Sequence, residues 1–153
     1  MRRYIPLVRI AFGFVVALLL AVGAVGCSSG SDQADPQPGT LPAGTANITV
    51  NGNDLGQFES VQCVPAGYLT TITTGDETAG TTAVVAGGDE LSAQLVSINN
   101  LGGFTGSFNQ NLGGEAKVTM TGPTYTITGN ADGFQTDKPS FRTNGTFTIK
   151  VSC

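Results

Sequence analysis

The sequence predicts an all-β protein: a small antiparallel β-sandwich or barrel-like domain that follows a signal peptide and a disordered tether. Short apolar–polar alternations recur from residue 47 to the end, with glycine-rich breaks spaced about 8 to 12 residues apart. The composition includes 22 glycines and many threonines and valines, but few residues in helical period. A third observation is an apolar stretch that ends at a cysteine and is followed at once by polar residues.

Residues 1–26 are predicted to be a lipoprotein signal peptide. Arg2, Arg3 and Arg9 provide a basic start, and residues 10–25 form an apolar stretch without charge. A retained membrane helix is the less favoured alternative, because a helix that crosses a bilayer needs about 20 apolar residues.

Cys27 is predicted to carry the lipid. The small residues before it, AVG at 24–26, are typical of a bacterial lipobox, in which the cysteine takes a diacylglyceryl group and becomes the first residue after cleavage. Ala24 departs from the leucine that is commonest at its position. Two or three acyl chains give a stable anchor, so we expect the protein to lie on a membrane, facing the outside of the cytoplasmic membrane or the cell surface.

Residues 27–46 are predicted to be the acylated cysteine and a disordered tether. The segment SSGSDQADPQPGTLPAGTA is rich in Ser, Gly and Pro and has almost nothing to bury, so it cannot offset the entropy lost on ordering. Its hydroxyl groups could carry glycans, or it could be a plain linker; composition does not separate the two.

The mature chain is acidic. Removal of the signal peptide leaves four basic residues against 11 acidic residues, a net charge of −7. Such a surface is a poor phosphate binder, so we expect no nucleic-acid partner and expect the acyl chains, not the protein surface, to bind the membrane.

The β domain is predicted to span residues 47–153. Nine segments have strand character, and in the last two Tyr125 and Ile127, then Phe147, Ile149 and Val151, fall on one face. The predicted strands are 48–50, 58–64, 68–74, 81–86, 90–98, 104–108, 116–121, 124–131 and 146–152.

Two cysteines remain after Cys27 is assigned to lipid. Cys63 lies in a predicted strand and Cys153 ends the last one, and a signal peptide directs both to an oxidising compartment. We expect them to form a disulfide, which would restrict the unfolded chain by about 4.5 kcal/mol. The alternative is a pair of free buried thiols.

Several segments of the domain together resemble the mycobacterial nineteen-kilodalton lipoprotein antigen family. The similar segments are ITVNGNDLG, SVQC, ELSAQLVSINNLGG, GGEAKVTMTG, TYTITGNADG and FTIKVSC. In this comparison Cys27 corresponds to the acylated cysteine, and Cys63 and Cys153 to the two domain cysteines. The resemblance implies a β-rich surface antigen on an often glycosylated tether, whose acylated end is sensed by Toll-like receptors of the host. It implies no reaction.

The residues favour no enzyme, cofactor or metal site. The chain has no histidine, so a serine or cysteine nucleophile lacks its usual base. Asp76–Glu77 and Asp89–Glu90 lie in glycine-rich turns and are interpreted as solvated charges. The segment 129–137, GNADGFQTD, has oxygen ligands but lacks the spacing of an EF-hand, which favours a turn over calcium.

A lipid or glycolipid carrier is the alternative function. A β-sandwich could open between its sheets and hold an acyl chain in an apolar cleft. Four phenylalanines could line this cleft, although an ordinary core is the favoured interpretation of them. They are Phe104, Phe108, Phe134 and Phe141.

Overall fold

A computed structural model describes residues 37–153, which form ten β-strands and contain no helix. No helix within this range is long and apolar enough to cross a membrane. The predicted signal peptide and Cys27 lie outside the described residues. The strands are β1 (Ala46–Val50), β2 (Asn53–Phe58), β3 (Val61–Ala66), β4 (Leu69–Gly75), β5 (Gly80–Ala86), β6 (Ser92–Leu101), β7 (Phe104–Asn109), β8 (Ala116–Thr121), β9 (Thr124–Gln135) and β10 (Arg142–Ser152).

The strands form one antiparallel sheet in the order β2-β1-β10-β9-β7-β6-β5-β4-β3, and β8 pairs with β9 beside this path. The sheet curls into a nearly closed barrel around a single core. The prediction of an antiparallel, barrel-like all-β domain is therefore confirmed.

The chain changes partner at two places, and these changes let the sheet curl. β2 pairs with β1 and ends at Phe58; after Glu59 and Ser60 the chain continues as β3, which pairs with β4. Similarly, β9 pairs with β8 over its first half and with β7 over its second half. A bent strand that serves two neighbours in turn is a common way to close a small barrel.

Most predicted strands are found, but one strand was missed and several boundaries differ; β9 runs four residues past its predicted end and β10 begins four residues before its predicted start. β2 was not predicted, because its sequence NDLGQF lacks apolar alternation and most of its side chains are exposed. The predicted strand 58–64 is interrupted at Glu59 and Ser60, where the chain bends from β2 into β3. The β1–β2 turn has Asn51 and Gly52 at φ 51° and 78°, which is the backbone of a two-residue hairpin turn.

The core is built from inward-facing aliphatic side chains at alternate strand positions. One row crosses four strands: Val118 is the register partner of Ile127, Ile127 of Ile149, and Ile149 of Ile48. The three isoleucines are fully buried. Complete burial of such a side chain contributes about 1.5–3 kcal/mol, so this row is a main source of stability.

Phe104 is the largest fully buried side chain, and glycines make room for its ring. A Cβ atom added at Gly106 or at Gly145 would lie 2.6 Å from the ring's Cζ atom. Contacts this short do not occur between packed atoms, so the ring fits only because β7 and β10 have no side chain at these positions.

The turns are divided between two ends of the barrel, because neighbouring strands run in opposite directions. At one end β1 begins and β10 ends; this N-terminal end also carries the β3–β4 turn at Gly67 and Tyr68 and the β8–β9 turn at Gly122 and Pro123. The opposite, distal end carries the β1–β2, β4–β5, β6–β7 and β9–β10 turns.

Some residues of the predicted tether hydrogen-bond to the barrel. Leu41 donates its backbone N–H to the Thr124 hydroxyl at 3.0 Å, and Gly44 donates to the Ser152 carbonyl at 2.9 Å. β1 itself starts one residue before Asn47. The composition of this segment is that of a tether, but its last residues find hydrogen-bond partners on the barrel, which composition cannot reveal.

Candidate functional site

The two domain cysteines lie at the seam of the barrel. Cys63 in β3 and Cys153 after β10 are joined by a disulfide bond, with their Cα atoms 5.9 Å apart. This fits the predicted pairing. β3 is the last strand of the sheet order and β10 stands near its other end. The bond therefore links one margin of the sheet, β3, to the end of β10, a strand with which β3 forms no hydrogen-bonded pair.

The four phenylalanines considered for an apolar cleft do not lie together. Phe104 and Phe108 are buried in the core. Phe134 is half-buried on the outer face, two residues after the exposed Asp132 and outside the core cluster. Phe141 is 72% exposed in the β9–β10 turn. Strand alternation separates these side chains, because adjacent positions point to opposite faces of the sheet.

The two acidic pairs occupy exposed turns at opposite ends of the barrel, Asp76–Glu77 at the distal end and Asp89–Glu90 at the N-terminal end. Asp76 caps its turn, and its Oδ1 atom accepts the N–H groups of Thr78 at 2.7 Å and Ala79 at 3.0 Å and the Thr78 hydroxyl. The Thr78 hydroxyl, followed by these N–H groups, holds the pKa of Asp76 below its usual value.

The segment considered for calcium forms the end of β9 and the turn after it. Asn130 uses its side-chain oxygen to accept the Glu115 N–H at 3.0 Å, Asp132 is exposed on the outer face, and Asp137 lies in the turn. Within residues 37–153, no three Cys, Asp or Glu side chains are grouped so that they could hold a metal ion.

Polar side chains form a row across the outer face of six adjacent strands. Each is the register partner of the next, so neighbouring members stand about 4.8 Å apart. We call this set the polar row. Its members are Thr73, Thr82, Ser97, Ser107, Asp132 and Asn144.

A second outer row lies beside the first, two residues closer to the distal end along each strand. In β4, β5 and β6 it consists of Gly75, Gly80 and Asn99. In β7, β9 and β10 it consists of Thr105, Phe134 and Arg142. The half-buried Phe134 is the one aromatic side chain of the two rows, and it stands between a hydroxyl group and a guanidinium group.

Two open cavities lie on these rows and share two residues. The first, of about 390 Å³, is lined by the turn residues Asp76 and Glu77 and by outer-face residues of β4, β5 and β6. The second, of about 490 Å³, is lined from β6 to β10 and includes Phe134 and Arg142. Both are lined in part by Ser97 and Asn99, so they are neighbours on the outer face, and we call the two together the polar groove.

Three hydroxyl groups of the polar groove differ from those of the core in their bonding, whereas the groove hydroxyls of Thr105 and Ser107 accept hydrogen bonds from Asn100 and Asn109. On the inner face, Thr74 and Thr81 hydrogen-bond to each other at 2.6 Å. On the outer face, the Thr73, Thr82 and Ser97 hydroxyls have no hydrogen-bond partner among residues 37–153, and Asp132 and Arg142 form no ion pair there. These groups are available to an external ligand.

The polar groove was not predicted from the sequence. The alternation of threonine and apolar residues in TTITT and TTAVV marks an outer polar face for each strand separately. Which outer positions become neighbours depends on the register between strands that are far apart in the chain, such as β7 and β9.

Comparison with known proteins identifies a family and several relatives. The model of the Mycobacterium 19 kDa lipoprotein antigen family matches residues 39–153. A putative lipoprotein of Mycobacterium indicus pranii is 38% identical over 135 residues, which are 88% of this chain and 96% of that protein. A putative lipoprotein of Mycobacterium avium subsp. hominissuis is 35% identical, with 91% and 92% covered, and Lipoprotein LpqH of Mycobacterium tuberculosis is 30% identical, with 90% and 92% covered.

Proposed function

Since the chain belongs to the Mycobacterium 19 kDa lipoprotein antigen family, we propose that it is a membrane-attached lipoprotein, held by acyl chains on Cys27, which presents its barrel as an antigen outside the cytoplasmic membrane or at the cell surface. The family match over residues 39–153 carries this proposal. Relatives named as lipoproteins align along nearly their whole length and support it.

The position of the N-terminus on the barrel is consistent with this attachment. Gln37 and Thr40 lie beside Gly122 in the β8–β9 turn, so the chain enters the domain at its N-terminal end. Nine residues separate Cys27 from Gln37, and at about 3.5 Å per extended residue they span at most about 32 Å. An anchor at Cys27 would therefore keep Gln37, where the described domain begins, within about this distance of the acylated cysteine.

The proposed role is attachment and display, not catalysis. The description of the family as lipoprotein antigens supports this role. The acidic pairs that could have formed a general acid and base stand at opposite ends of the barrel. Innate immune receptors of the host are proposed to bind the acylated Cys27 end, which makes their response depend on the acyl chains and not on the barrel.

The alternative function, a carrier of envelope lipid in an inter-sheet cavity, has less support. Phe104 and Phe108 are packed into the core, and Phe141 lies on the outside. A carrier of this kind would need to open a core whose isoleucine row is fully buried.

Acylation at Cys27 is tested by intact mass and by detergent partition of the protein made in a mycobacterial host. We expect a mature chain that begins at Cys27, carries a diacylglyceryl group and enters the detergent phase. Cys27→Ala should stay uncleaved and lose the lipid, while Ser28→Ala, the neighbouring change, should behave as the unaltered protein. A natural N-terminus at another residue, or one without fatty acid, would contradict the proposal.

Receptor recognition is tested with reporter cells that carry human Toll-like receptors. The purified lipoprotein should activate them, and enzymatic removal of its ester-linked acyl chains should abolish activation while leaving the barrel folded. Equal activation by the deacylated protein would show that the receptor binds another part of the chain.

A further inference from the structure

We propose that the polar groove binds an uncharged polysaccharide chain. This goes beyond attachment and display: it assigns a ligand class to a particular surface, and it does not require Cys27 to be acylated. The proposal rests on three properties of the groove, which are its free hydrogen-bonding groups, its single aromatic ring and its charge.

The groove presents hydrogen-bonding groups at regular spacing. The hydroxyls of Thr73, Thr82 and Ser97 stand on three adjacent strands, about 4.8 Å apart, and can each donate and accept. They have no protein partner among residues 37–153, as described above. A polysaccharide carries hydroxyl groups at a similar spacing, and each of them can donate and accept a hydrogen bond. It can therefore form hydrogen bonds along the whole row.

Phe134 adds the apolar contact that sugar recognition needs. A sugar ring has an apolar face of C–H groups, which packs on an aromatic ring, and hydroxyl groups around its edge. Phe134 is half-buried in the second cavity, with Arg142 beside it on β10 and Asp132 two residues before it on the same face of β9. The ring can thus contact a sugar face while the carboxylate accepts, and the guanidinium donates, hydrogen bonds at the sugar edge.

The charge of the groove favours an uncharged ligand. The two cavities are lined by the carboxyl groups of Asp76, Glu77 and Asp132 and by one cation, Arg142. Three negative charges to one positive charge repel phosphate, sulfate and uronic acid groups. Phe134 is the only aromatic residue in the lining of the two cavities.

The second row of the groove lies away from the point where the chain enters the barrel. This row approaches the distal end, and the chain enters at the opposite end.

The proposal is tested by titrating the full-length lipoprotein in detergent micelles with short mannan, arabinan, galactan and glucan oligosaccharides, followed by calorimetry. We expect at least one of these probes to bind with a Kd of about 1 mM or lower. Phe134→Ala and Thr82→Val should each weaken that binding about tenfold or more. The matched controls are Tyr68→Ala, an exposed aromatic change at the N-terminal end, and Thr119→Val, an outer-face threonine of β8; neither should change the Kd.

Amide chemical shifts measured during the same titration keep the test independent of variant folding. Shifts confined to β4–β7 and to the groove-lining parts of β9 and β10 would support the proposal. The proposal would be overturned if none of the four probes binds, or if Phe134→Ala and Thr82→Val bind as tightly as the unaltered protein. It would also be overturned if a phosphorylated or uronic-acid oligosaccharide binds more tightly, or if the shifts are centred on the N-terminal end. Loss of acylation at Cys27 would refute the proposed attachment without affecting this result.

Discussion

Thr81 and Thr82 are neighbours in β5 and point to opposite faces of the barrel. Thr81 is 3% exposed and shares a hydrogen bond with Thr74, whereas Thr82 lines the polar groove and has no partner among the described residues. Phe104 and Phe134 form a second contrasting pair, one enclosed by glycines in the core and one on the outer face. The face that a side chain occupies, more than its chemical type, therefore decides whether it stabilises the fold or is free to bind a ligand.

The largest expected difference between the two faces comes from the phenylalanines. Phe104→Ala should lower the free energy of unfolding by about 3–5 kcal/mol, because it leaves a cavity beside Gly106 and Gly145. Phe134→Ala removes only a half-buried ring and should cost about 1 kcal/mol. Urea unfolding followed by circular dichroism measures both, and equal losses would contradict the assignment of Phe134 to the outer face.

Removal of the disulfide measures the covalent contribution to stability separately from the contribution of core packing. Cys63 and Cys153 enclose a segment with a sequence separation of 90, so replacing both with serine should lower the free energy of unfolding by about 2–5 kcal/mol. The native protein under reducing conditions should show a similar loss. If reduction leaves the urea midpoint unchanged, the bond does not constrain the chain as we expect.

A smaller change in the free energy of unfolding is expected for the threonine pair, Thr81 and Thr82. Thr81→Val leaves the buried Thr74 hydroxyl without its partner and should cost about 1–3 kcal/mol, while Thr82→Val should change stability by less than about 0.5 kcal/mol. Replacing Thr74 as well should recover part of the loss, since two apolar side chains of the same shape leave nothing unsatisfied. A double variant less stable than Thr81→Val would speak against this explanation.

The smallest effect is expected at the distal turn, in acid. Hydrogen bonds lower the pKa of Asp76 in the folded state below its usual 3.8, so its contribution to stability is fully present above that value and is lost as the pH falls through the folded pKa. Asp76→Ala should therefore be less stable than the unaltered protein by a constant amount from pH 5 to 8, and the gap should narrow below about pH 4. Thermal unfolding across this range measures it; a gap that widens in acid would have the wrong sign.

Much of the fold could be predicted from local patterns. Strands β8 and β9 begin at the predicted residues, Ala116 and Thr124, and the last strand ends at the predicted Ser152. β2 escaped prediction because an exposed strand that pairs on one side needs no apolar alternation. The contacts of the end of the tether were not predicted, because Leu41 and Gly44 hydrogen-bond to partners more than eighty residues away in the chain.

The candidate sites also differ in how far they could be predicted from the sequence. Cys63 and Cys153 could be paired from the sequence because few cysteines leave few choices. The four phenylalanines could not be sorted, since Phe104 and Phe134 differ in burial only through the strand position and register that each adopts. The polar groove could not be predicted, because its members come from six strands and the register between those strands decides which outer side chains are neighbours.

The sequence by itself determined the strand class, the acidic balance and the cysteine pattern, because each follows from composition and from spacing within one short segment. The tertiary structure alone decided which threonines face each other, which phenylalanine fills the core and which polar side chains share a surface. The physical reason is that strand alternation gives every segment two faces, and only the register between distant strands selects the neighbours on each face.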